Sequence, residues 1–293
     1  MKPASFAYYA PDSLEQALDL MSQHSSDEAK ILAGGQSLVP AMNFRIVQPA
    51  ILVDINRVSV LNYIREDGGV LRIGAMTRER QLEFDPLVAK RTPLLAEAMP
   101  FIAHPQIRNR GTIGGSLVNA DPAAELPVLI LALNARLKAR KSSGERWIEA
   151  RDFFVGMFTT ALEPDEILVE IELPLMPRQT GWSFMEVAPR TGDYALMGVA
   201  TLVTLDENRK CTGAKLVYLN AGDGPVVAQT AASLLIGETI NDKLIESAAA
   251  LASEKEIDPF GNVHTSPDFQ RHLAKVLTKR TLEQAIQRAR ELQ

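Results

Sequence analysis

The first third of the chain alternates one helical pattern with two short apolar runs. Apolar residues recur at helical spacing between residues 12 and 24, which predicts a helix capped by Asp12 or Ser13. The continuous apolar runs at 30–35 and 50–55 predict two buried strands. Together these patterns indicate a small unit of mixed helix and sheet.

The pattern changes after residue 56. Two strand-like runs joined by Asp67-Gly68-Gly69 predict a β-hairpin within residues 60–77. Residues 78–102 predict a helical region in two pieces, broken at Pro86 and Pro93. The remaining elements predicted here are a helix over 122–134, a hairpin over 135–150 and a strand over 167–174.

Beyond Pro174 and Pro177, strand patterns come first and helical patterns follow. The strands are predicted at 181–188, 195–206 and 213–222, and the helices at 228–237, 242–254 and 268–292. This order favours an antiparallel sheet with helices on one face. We therefore expect an α+β protein with three domains, at residues 1–56, 57–176 and 177–293.

Composition excludes some kinds of partner. The net charge of −5 and the pI near 5.5 argue against nucleic acid or an anionic membrane as the main partner. No stretch of 18 apolar residues is present, so no membrane span is predicted. The N-terminus lacks the apolar segment of a secretory signal, and the expected location is therefore the cytoplasm.

The single cysteine, Cys211, excludes an internal disulfide, a cysteine-ligated zinc site and an iron–sulfur cluster held by this chain alone. The four histidines lie far apart and none accompanies a G-x-S-x-G motif. We therefore expect neither a metal site nor a catalytic residue of its own for hydrolysis.

Two stretches share a pattern of small residues, Gly-Gly and a following serine. We call residues 33–37 (AGGQS) the first glycine segment and residues 111–116 (GTIGGS) the second glycine segment. Glycine lets backbone N–H groups approach a phosphate, so the pair favours a ligand with two phosphates. Neither is a G-x-G-x-x-G or a P-loop motif, and either one alone is equally consistent with an ordinary tight turn.

Three further side chains have two interpretations each. Asp121 is either the N-cap of the helix predicted over 122–134 or part of a carboxylate pair with Glu125. Glu125 itself either complements the helix dipole or accepts a hydrogen bond from a ligand hydroxyl. Tyr194 follows a turn and either packs as an ordinary aromatic or lies against a cofactor ring.

The two glycine segments, with 107-IRNRG-111 and 192-GDYAL-196, resemble the FAD-binding medium subunit of molybdenum hydroxylases. That family includes the flavoprotein subunits of carbon monoxide, quinoline and nicotine dehydrogenases and the middle part of xanthine dehydrogenase. The resemblance runs over essentially the whole chain. It implies a two-subdomain FAD-binding fold of the vanillyl-alcohol oxidase type, followed by an α+β C-terminal domain.

The resemblance also implies non-covalent FAD, extended between the domains, with its diphosphate on the glycine segments. Glu125 matches a contact to the cofactor hydroxyls, Leu168 a backbone contact near the ring, and Tyr194 the residue against the isoalloxazine. Gln36 stands where many relatives have His, and no lysine is found near Met185 or Glu186, where relatives often have one. The implied cofactor-binding residues are Ile31, Leu32, Ala33, Gly34, Gly35, Gln36, Ser37, Leu38, Ile102, Thr112, Ile113, Gly114, Gly115, Ser116, Glu125, Leu168 and Tyr194.

The resemblance further implies that this chain is the electron-exit subunit of an oxidoreductase. Substrate is hydroxylated at a molybdenum cofactor on a large subunit, and electrons pass through two [2Fe–2S] clusters on a small subunit to FAD and then to an external acceptor. A dimer of heterotrimers is the implied assembly. Resemblance to the quinoline and nicotine enzymes favours an aromatic N-heterocycle as substrate over carbon monoxide or an aldehyde.

Two alternatives remain at the level of sequence. One is a stand-alone FAD-dependent oxidase or dehydrogenase, which needs polar catalytic groups over the flavin that we do not find in the sequence. The other is a non-enzymatic nucleotide-binding protein that uses the same glycine segments for another ligand.

Overall fold

The computed structural model describes residues 1–26 and 28–292. Its α-helices are α1 (Leu14–Gln23), α2 (Leu38–Asn43), α3 (Glu79–Phe84), α4 (Pro86–Arg91), α5 (Pro93–Ala98), α6 (Pro105–Arg108), α7 (Ile113–Asn119), α8 (Glu125–Ala132), α9 (Ala150–Phe153), α10 (Gln229–Ser233), α11 (Asp242–Leu251) and α12 (Pro267–Glu291). Its strands are β1 (Ala7–Tyr9), β2 (Ala29–Leu32), β3 (Ile51–Asp54), β4 (Ile64–Asp67), β5 (Val70–Gly74), β6 (Arg136–Lys141), β7 (Gly144–Glu149), β8 (Phe154–Gly156), β9 (Thr159–Thr160), β10 (Ile167–Pro174), β11 (Thr180–Val187), β12 (Met197–Leu205), β13 (Cys211–Leu219) and β14 (Val226–Val227).

The first sheet has three parallel strands in the order β1-β3-β2. Helix α1 begins at the predicted cap, where the Ser13 hydroxyl accepts the Gln16 N–H, and its apolar face packs on this sheet. Strand β3 is buried as predicted, but β2 is only partly buried, contrary to prediction. Because the strands are parallel, the loops after β2 and β3 leave from one edge of the sheet.

The second sheet is antiparallel, in the order β4-β5-β10-β6-β7. The predicted β4–β5 hairpin is present, and both of its glycines adopt the left-handed conformation that the turn requires. One face carries the apolar residues of the main core, and the other carries ion pairs of Arg72 and Arg136 with Glu172.

Helices α3, α4 and α5 follow strand β5 and precede the remaining strands of the second sheet. The prediction of two pieces was wrong, since there are three helices, but the predicted breaks are present because α4 and α5 each begin at a proline. Helix α8 is buried along its whole length, which explains its lack of a polar face. It begins at Glu125 rather than at residue 122, so Asp121 is not its N-cap, and the Asp121 carboxyl instead accepts the Ala123 N–H in the preceding turn.

The C-terminal sheet is antiparallel, in the order β11-β12-β13-β14, and confirms the predicted order of strands before helices. Helix α12 packs on β11 and β12 at one face, and α8 packs on β12 and β13 at the other. The main core is therefore continuous between α8 and this sheet.

The sheets lie within residues 7–54, 64–174 and 180–227, and domain boundaries at residues 56 and 176 stay predictions. In the described part of the chain, we find no helix both apolar and long enough to cross a bilayer.

Candidate cofactor-binding site

The first glycine segment is an open loop between β2 and α2. Gly35 has φ of +74°, a left-handed conformation that a branched side chain does not readily adopt. The side chain of Gln36 folds back on the loop, and its Nε2 donates to the Gly34 carbonyl at 3.1 Å. Within the described residues, the N–H groups from Gly34 to Leu38 have no hydrogen-bond acceptor. Five consecutive donors are thus available to a ligand.

The second glycine segment is not a loop, contrary to the sequence-based interpretation, because it forms the first turn of α7. Thr112 is the N-cap, and its hydroxyl accepts the Gly115 N–H at 3.1 Å. The N–H groups of Ile113 and Gly114 donate to the carbonyls of Thr77 and Ala75. Since the Ser116 N–H donates to Thr112, all four amides from residue 113 to 116 are already paired.

The two segments touch through their backbones. A Cβ on Gly34 would overlap the Arg110 carbonyl and lie 2.8 Å from the Cα of Gly111. A Cβ on Gly115 would lie 3.5 Å from the Cβ of Ala33. The absence of side chains at these glycines therefore allows the direct contact that places one segment beside the other.

A chain of polar side chains fixes this contact. The Asn56 Nδ2 donates to the Ala33 carbonyl at 2.8 Å, and its Oδ1 accepts from Arg78 Nη2 at 2.7 Å. Arg78 also donates to the Arg110 carbonyl, and so joins the first segment to the residue preceding the second. Asp54 accepts from Asn56 at 2.6 Å and from the Tyr8 hydroxyl at 2.6 Å. Burial works against ionisation of Asp54, but these hydrogen bonds outweigh it and lower its pKa.

This polar chain was missed by the sequence analysis. Asp54 is the last residue of β3 and Asn56 follows it. Strand β3 is parallel to β2, and the carboxyl ends of parallel strands meet at one edge of a sheet. A prediction that β2 pairs with β3 would have placed Asp54 and Asn56 beside the first glycine segment. A cavity of about 360 Å³ opens at this edge, lined by residues 32–36 together with Val39, Pro40, Asp54, Asn56 and Arg110.

Buried carboxyl groups lie near the second segment. Glu125, the first residue of α8, is 8% exposed, and burial, followed by the charge of Asp121, raises its pKa to about 7. Glu79, the first residue of α3, is 5% exposed, and burial, followed by the charge of Glu125, raises its pKa to about 8. Asp121, whose pKa is also raised by burial, completes the group.

The C-terminal domain contributes Tyr194 to the same region. Tyr194 is 68% exposed, and partial burial, followed by the charges of Asp121 and Glu125, raises the pKa of its hydroxyl. Gly192 precedes it with φ of +87°, and a Cβ there would collide with the His104 ring. The turn that carries Tyr194 therefore rests on the segment between α5 and α6, and His104 is a further residue that the sequence analysis missed.

Two predicted site residues lie in the main core rather than in the glycine segments. Ile102 is 7% exposed, and its carbonyl accepts from Arg108 Nη1 at 2.6 Å. Leu168 is 4% exposed and pairs with Ala139 in the second sheet. The structure brings the first glycine segment against the second, and it places Glu125 and Tyr194 within electrostatic reach of each other and of Asp121.

These features fit a cofactor with a diphosphate, a polyol and a planar ring. Open amides suit phosphate oxygens, carboxyl groups suit hydroxyls, and an exposed tyrosine ring suits an aromatic face. The fold and the site therefore define a nucleotide-cofactor-binding protein that is built on a parallel sheet, without the Rossmann motif.

The chain belongs to the family of FAD-binding medium subunits of molybdenum hydroxylases. Residues 4–176 match the family described as "FAD binding domain in molybdopterin dehydrogenase". Residues 182–285 match the family described as "CO dehydrogenase flavoprotein C-terminal domain". The α+β fold and the assignment of FAD as the cofactor are thus confirmed.

Similar proteins match over almost the whole chain. The 6-hydroxypseudooxynicotine dehydrogenase complex subunit alpha of Paenarthrobacter nicotinovorans is 45% identical, over 99% of this chain and 97% of its own. In the structure of carbon monoxide dehydrogenase from Hydrogenophaga pseudoflava, one chain matches with a TM-score of 0.95 and 38% identity, over 98% of this chain and 99% of that chain. A chain of quinoline 2-oxidoreductase from Pseudomonas putida 86 has a TM-score of 0.93 and 38% identity, over 99% of both chains.

Proposed function

We propose that this chain is the FAD-carrying electron-transfer subunit of a heterotrimeric molybdenum hydroxylase. Its partners are a large molybdopterin subunit and a small iron–sulfur subunit, and the expected assembly is a dimer of such heterotrimers. The observation that carries the proposal is the row of open amides from Gly34 to Leu38 at the carboxyl edge of the parallel sheet. That row lies in a chain that matches medium subunits over nearly its full length.

When bound, FAD supplies the chemistry of accepting electrons from the iron–sulfur subunit and releasing them to an external acceptor. The chain itself holds and orients the cofactor. The open amides bind the diphosphate, the Glu125 carboxyl contacts the hydroxyls, and the exposed Tyr194 ring lies against the flavin. The amides of the second glycine segment already donate to acceptors in the protein. This segment therefore supports the site by fixing the position of the first segment, which it contacts.

The proposed site consists of all the residues expected from the family resemblance. Ile31, Leu32 and Ala33 lead into the open loop, and Thr112 is the N-cap on which the second segment depends. Ile102 and Leu168 belong to the proposed site through their backbones, since their side chains lie in the core. We also propose domain boundaries at residues 56 and 176, which separate the three larger sheets, and a cytoplasmic location.

For the substrate of the complex, we propose an aromatic N-heterocycle. Support comes from relatives named for nicotine and caffeine, which are 37% identical to this chain. Relatives named for carbon monoxide and glyceraldehyde have similar identities, of 38% and 36%, so the support rests chiefly on the 45% identical subunit named for 6-hydroxypseudooxynicotine. On this proposal the substrate is bound by the large subunit, and no general acid or base is required of this chain.

The test is purification of the full chain alone and with its co-expressed partners. We expect one FAD per chain in its absorption spectrum, and reduction of that FAD by an N-heterocycle only in the complete complex. A chain that takes up no FAD would refute the cofactor assignment. Reduction of FAD by the same substrate in the chain alone would favour a stand-alone oxidase or dehydrogenase.

A further inference from the structure

Two carboxyl groups in the described residues keep an oxygen buried without a hydrogen-bond partner. They are Oε2 of Glu79 and Oε2 of Glu186, and both groups lie within electrostatic reach of Glu125. An unpaired buried polar atom destabilises the fold, and a buried unpaired carboxylate destabilises it more. Two such groups around one proposed cofactor contact therefore need an explanation.

Glu79 lies against Gly111, the first residue of the second glycine segment. Its N–H donates to the Gly111 carbonyl at 3.0 Å, and its carboxyl packs so closely on Gly111 that a Cβ there would collide with it. The nearby Arg108 is bound to Glu83 and to the carbonyl of Ile102. Arg78 is bound to Asn56 and to the Arg110 carbonyl, so neither arginine donates to Glu79.

Glu186 approaches from the C-terminal domain. It lies on β11, and its alternate neighbours Trp182 and Phe184 pack into the main core shared with the FAD-binding domain. The residues on either side of it, Met185 and Val187, face the helices of the C-terminal domain. Alternation along the strand therefore directs Glu186 towards the FAD-binding domain, where Glu125 lies.

A carboxyl group with an unpaired inner oxygen is least costly when it is neutral. The neutral form keeps one oxygen inside and presents the other as an O–H donor or a carbonyl acceptor. For both groups the other oxygen, Oε1, is not among the buried unpaired atoms. Flavin and ribityl groups offer carbonyl, ring-nitrogen and hydroxyl partners for such an acid.

We propose that Glu79 and Glu186 are two further cofactor-binding residues, which act as neutral carboxylic acids and hydrogen-bond FAD, one from the FAD-binding domain and one from the C-terminal domain. This inference rests on the proposed function, because it places FAD at the glycine segments. It adds two contacts that the family resemblance does not assign. It also makes retention of FAD depend on the two domains together.

Protonation of these acids then controls the affinity for FAD. Burial, followed by the charge of Glu125, raises the pKa of Glu79 to about 8 and that of Glu186 to about 8. The charged and titratable groups facing this region are Asp121, Glu125 and Tyr194, with Arg78 and Arg108 bound elsewhere. Above pH 8 both acids ionise beside an anionic cofactor and lose their donor hydrogens, so affinity falls as the pH rises.

The experiment measures the dissociation constant of FAD by fluorescence titration of the full chain at pH 6.5 and pH 9. We expect wild-type affinity to fall by about tenfold or more between these values. This corresponds to a difference of about one unit between the pKa of these acids in the free chain and in the FAD complex. The double variant E79Q/E186Q stays neutral and keeps a donor. At pH 6.5 it is expected within about threefold of wild type, and at pH 9 it is expected to bind about tenfold more tightly than wild type.

Two single leucine variants test the proposed hydrogen bonds to FAD. E79L and E186L keep the size of the side chain without a donor, and each should weaken FAD binding by about tenfold at pH 6.5. Glu207→Gln, an exposed residue of the C-terminal domain, is the charge control and should behave as wild type. Thermal unfolding without FAD shows that each variant is folded.

The inference fails if the leucine variants bind FAD as tightly as wild type, or if the glutamine double variant loses affinity at pH 9 as wild type does. A wild-type chain that binds no FAD at either pH would instead refute the proposed function. The two failures are therefore distinguishable.

Discussion

The two glycine segments have similar sequences, yet their backbone amides differ in whether they have hydrogen-bond acceptors in the protein. In the first segment and the residue after it, five consecutive amides are open, and one glycine takes a left-handed conformation. In the second segment the corresponding glycines lie in a helix, and the amides from residue 113 to 116 bind the protein. A pattern of paired glycines therefore indicates close backbone approach, but it does not say whether a ligand or the protein itself is what approaches.

The difference arises from what precedes each segment. Strand β2 ends at the edge of a parallel sheet, and no carbonyl of the described residues accepts from the amides of Gly34 to Leu38. The second segment instead takes part in an isolated antiparallel bridge, between its own Thr112 and Arg78, and the carbonyls of residues 75 and 77 accept from the amides of Gly114 and Ile113. Gly114 packs against Ala75, where a Cβ would lie 2.6 Å from the alanine Cβ.

The largest expected effect is that of Gly35→Val. The branched side chain is strained at φ of +74° and would lie 3.2 Å from both Leu32 and Val39, so the loop must change its conformation. We expect FAD affinity to fall by about a hundredfold or more, because two or more hydrogen bonds to the charged diphosphate are lost. Flavin content after gel filtration and fluorescence titration measure it.

Gly68→Val is the matched control, because Gly68 is also left-handed but has nothing within 4 Å and lies in a distant hairpin turn. It should keep FAD affinity within about twofold of wild type, since it strains only its own turn. Equal loss of FAD in both variants would mean that backbone strain in general, and not the open amides, controls binding.

Gly115→Val distinguishes the segments. A Cβ there lies 2.8 Å from the Thr112 hydroxyl, so the N-cap is displaced and α7 loses stability. We expect the free energy of unfolding without FAD to fall by about 1–3 kcal/mol, with loss of FAD following from the altered packing. Denaturant unfolding of the chain without FAD measures this. Unchanged stability together with complete loss of FAD would contradict the supporting role of the second segment.

Thr112→Ala makes the same comparison with less disturbance. It removes the hydroxyl that accepts the Gly115 amide, and should lower the free energy of unfolding by about 1 kcal/mol. Thr112→Ser keeps the acceptor and should be close to wild type in the same chemical denaturation. If the alanine variant lost FAD a hundredfold while the serine variant kept it, the Thr112 hydroxyl would itself be a cofactor contact.

Gln36→Ala is expected to have the smallest effect. It removes the hydrogen bond from Nε2 to the Gly34 carbonyl, which is worth about 1 kcal/mol or less in a partly exposed loop. FAD affinity should fall by about threefold, measured by the same titration. Gln36→Glu, which removes the donor and adds a negative charge near the diphosphate, should have the larger effect. No difference between the two variants would place this side chain away from the cofactor.

Local sequence was sufficient for most of the elements. The helical spacing of α1, the Gly-Gly turn between β4 and β5, and the proline starts of α4 and α5 are short-range signals, and each is present. The start of α8 was misplaced because Pro122 and Asp121 form their own turn before the helix. Short elements such as β1 and α2 were missed, since they contain too few residues for a period to show.

The sequence by itself predicted, through the family resemblance, that the paired glycines, Glu125 and Tyr194 belong to one cofactor site. Only the tertiary structure decided which amides are open, since that depends on whether a distant carbonyl meets them. It also decided that Asn56 and Arg78 join the two segments and that Glu79 and Glu186 lie near Glu125. Contacts between residues far apart in the chain depend on strand order and helix packing, and no local pattern encodes them.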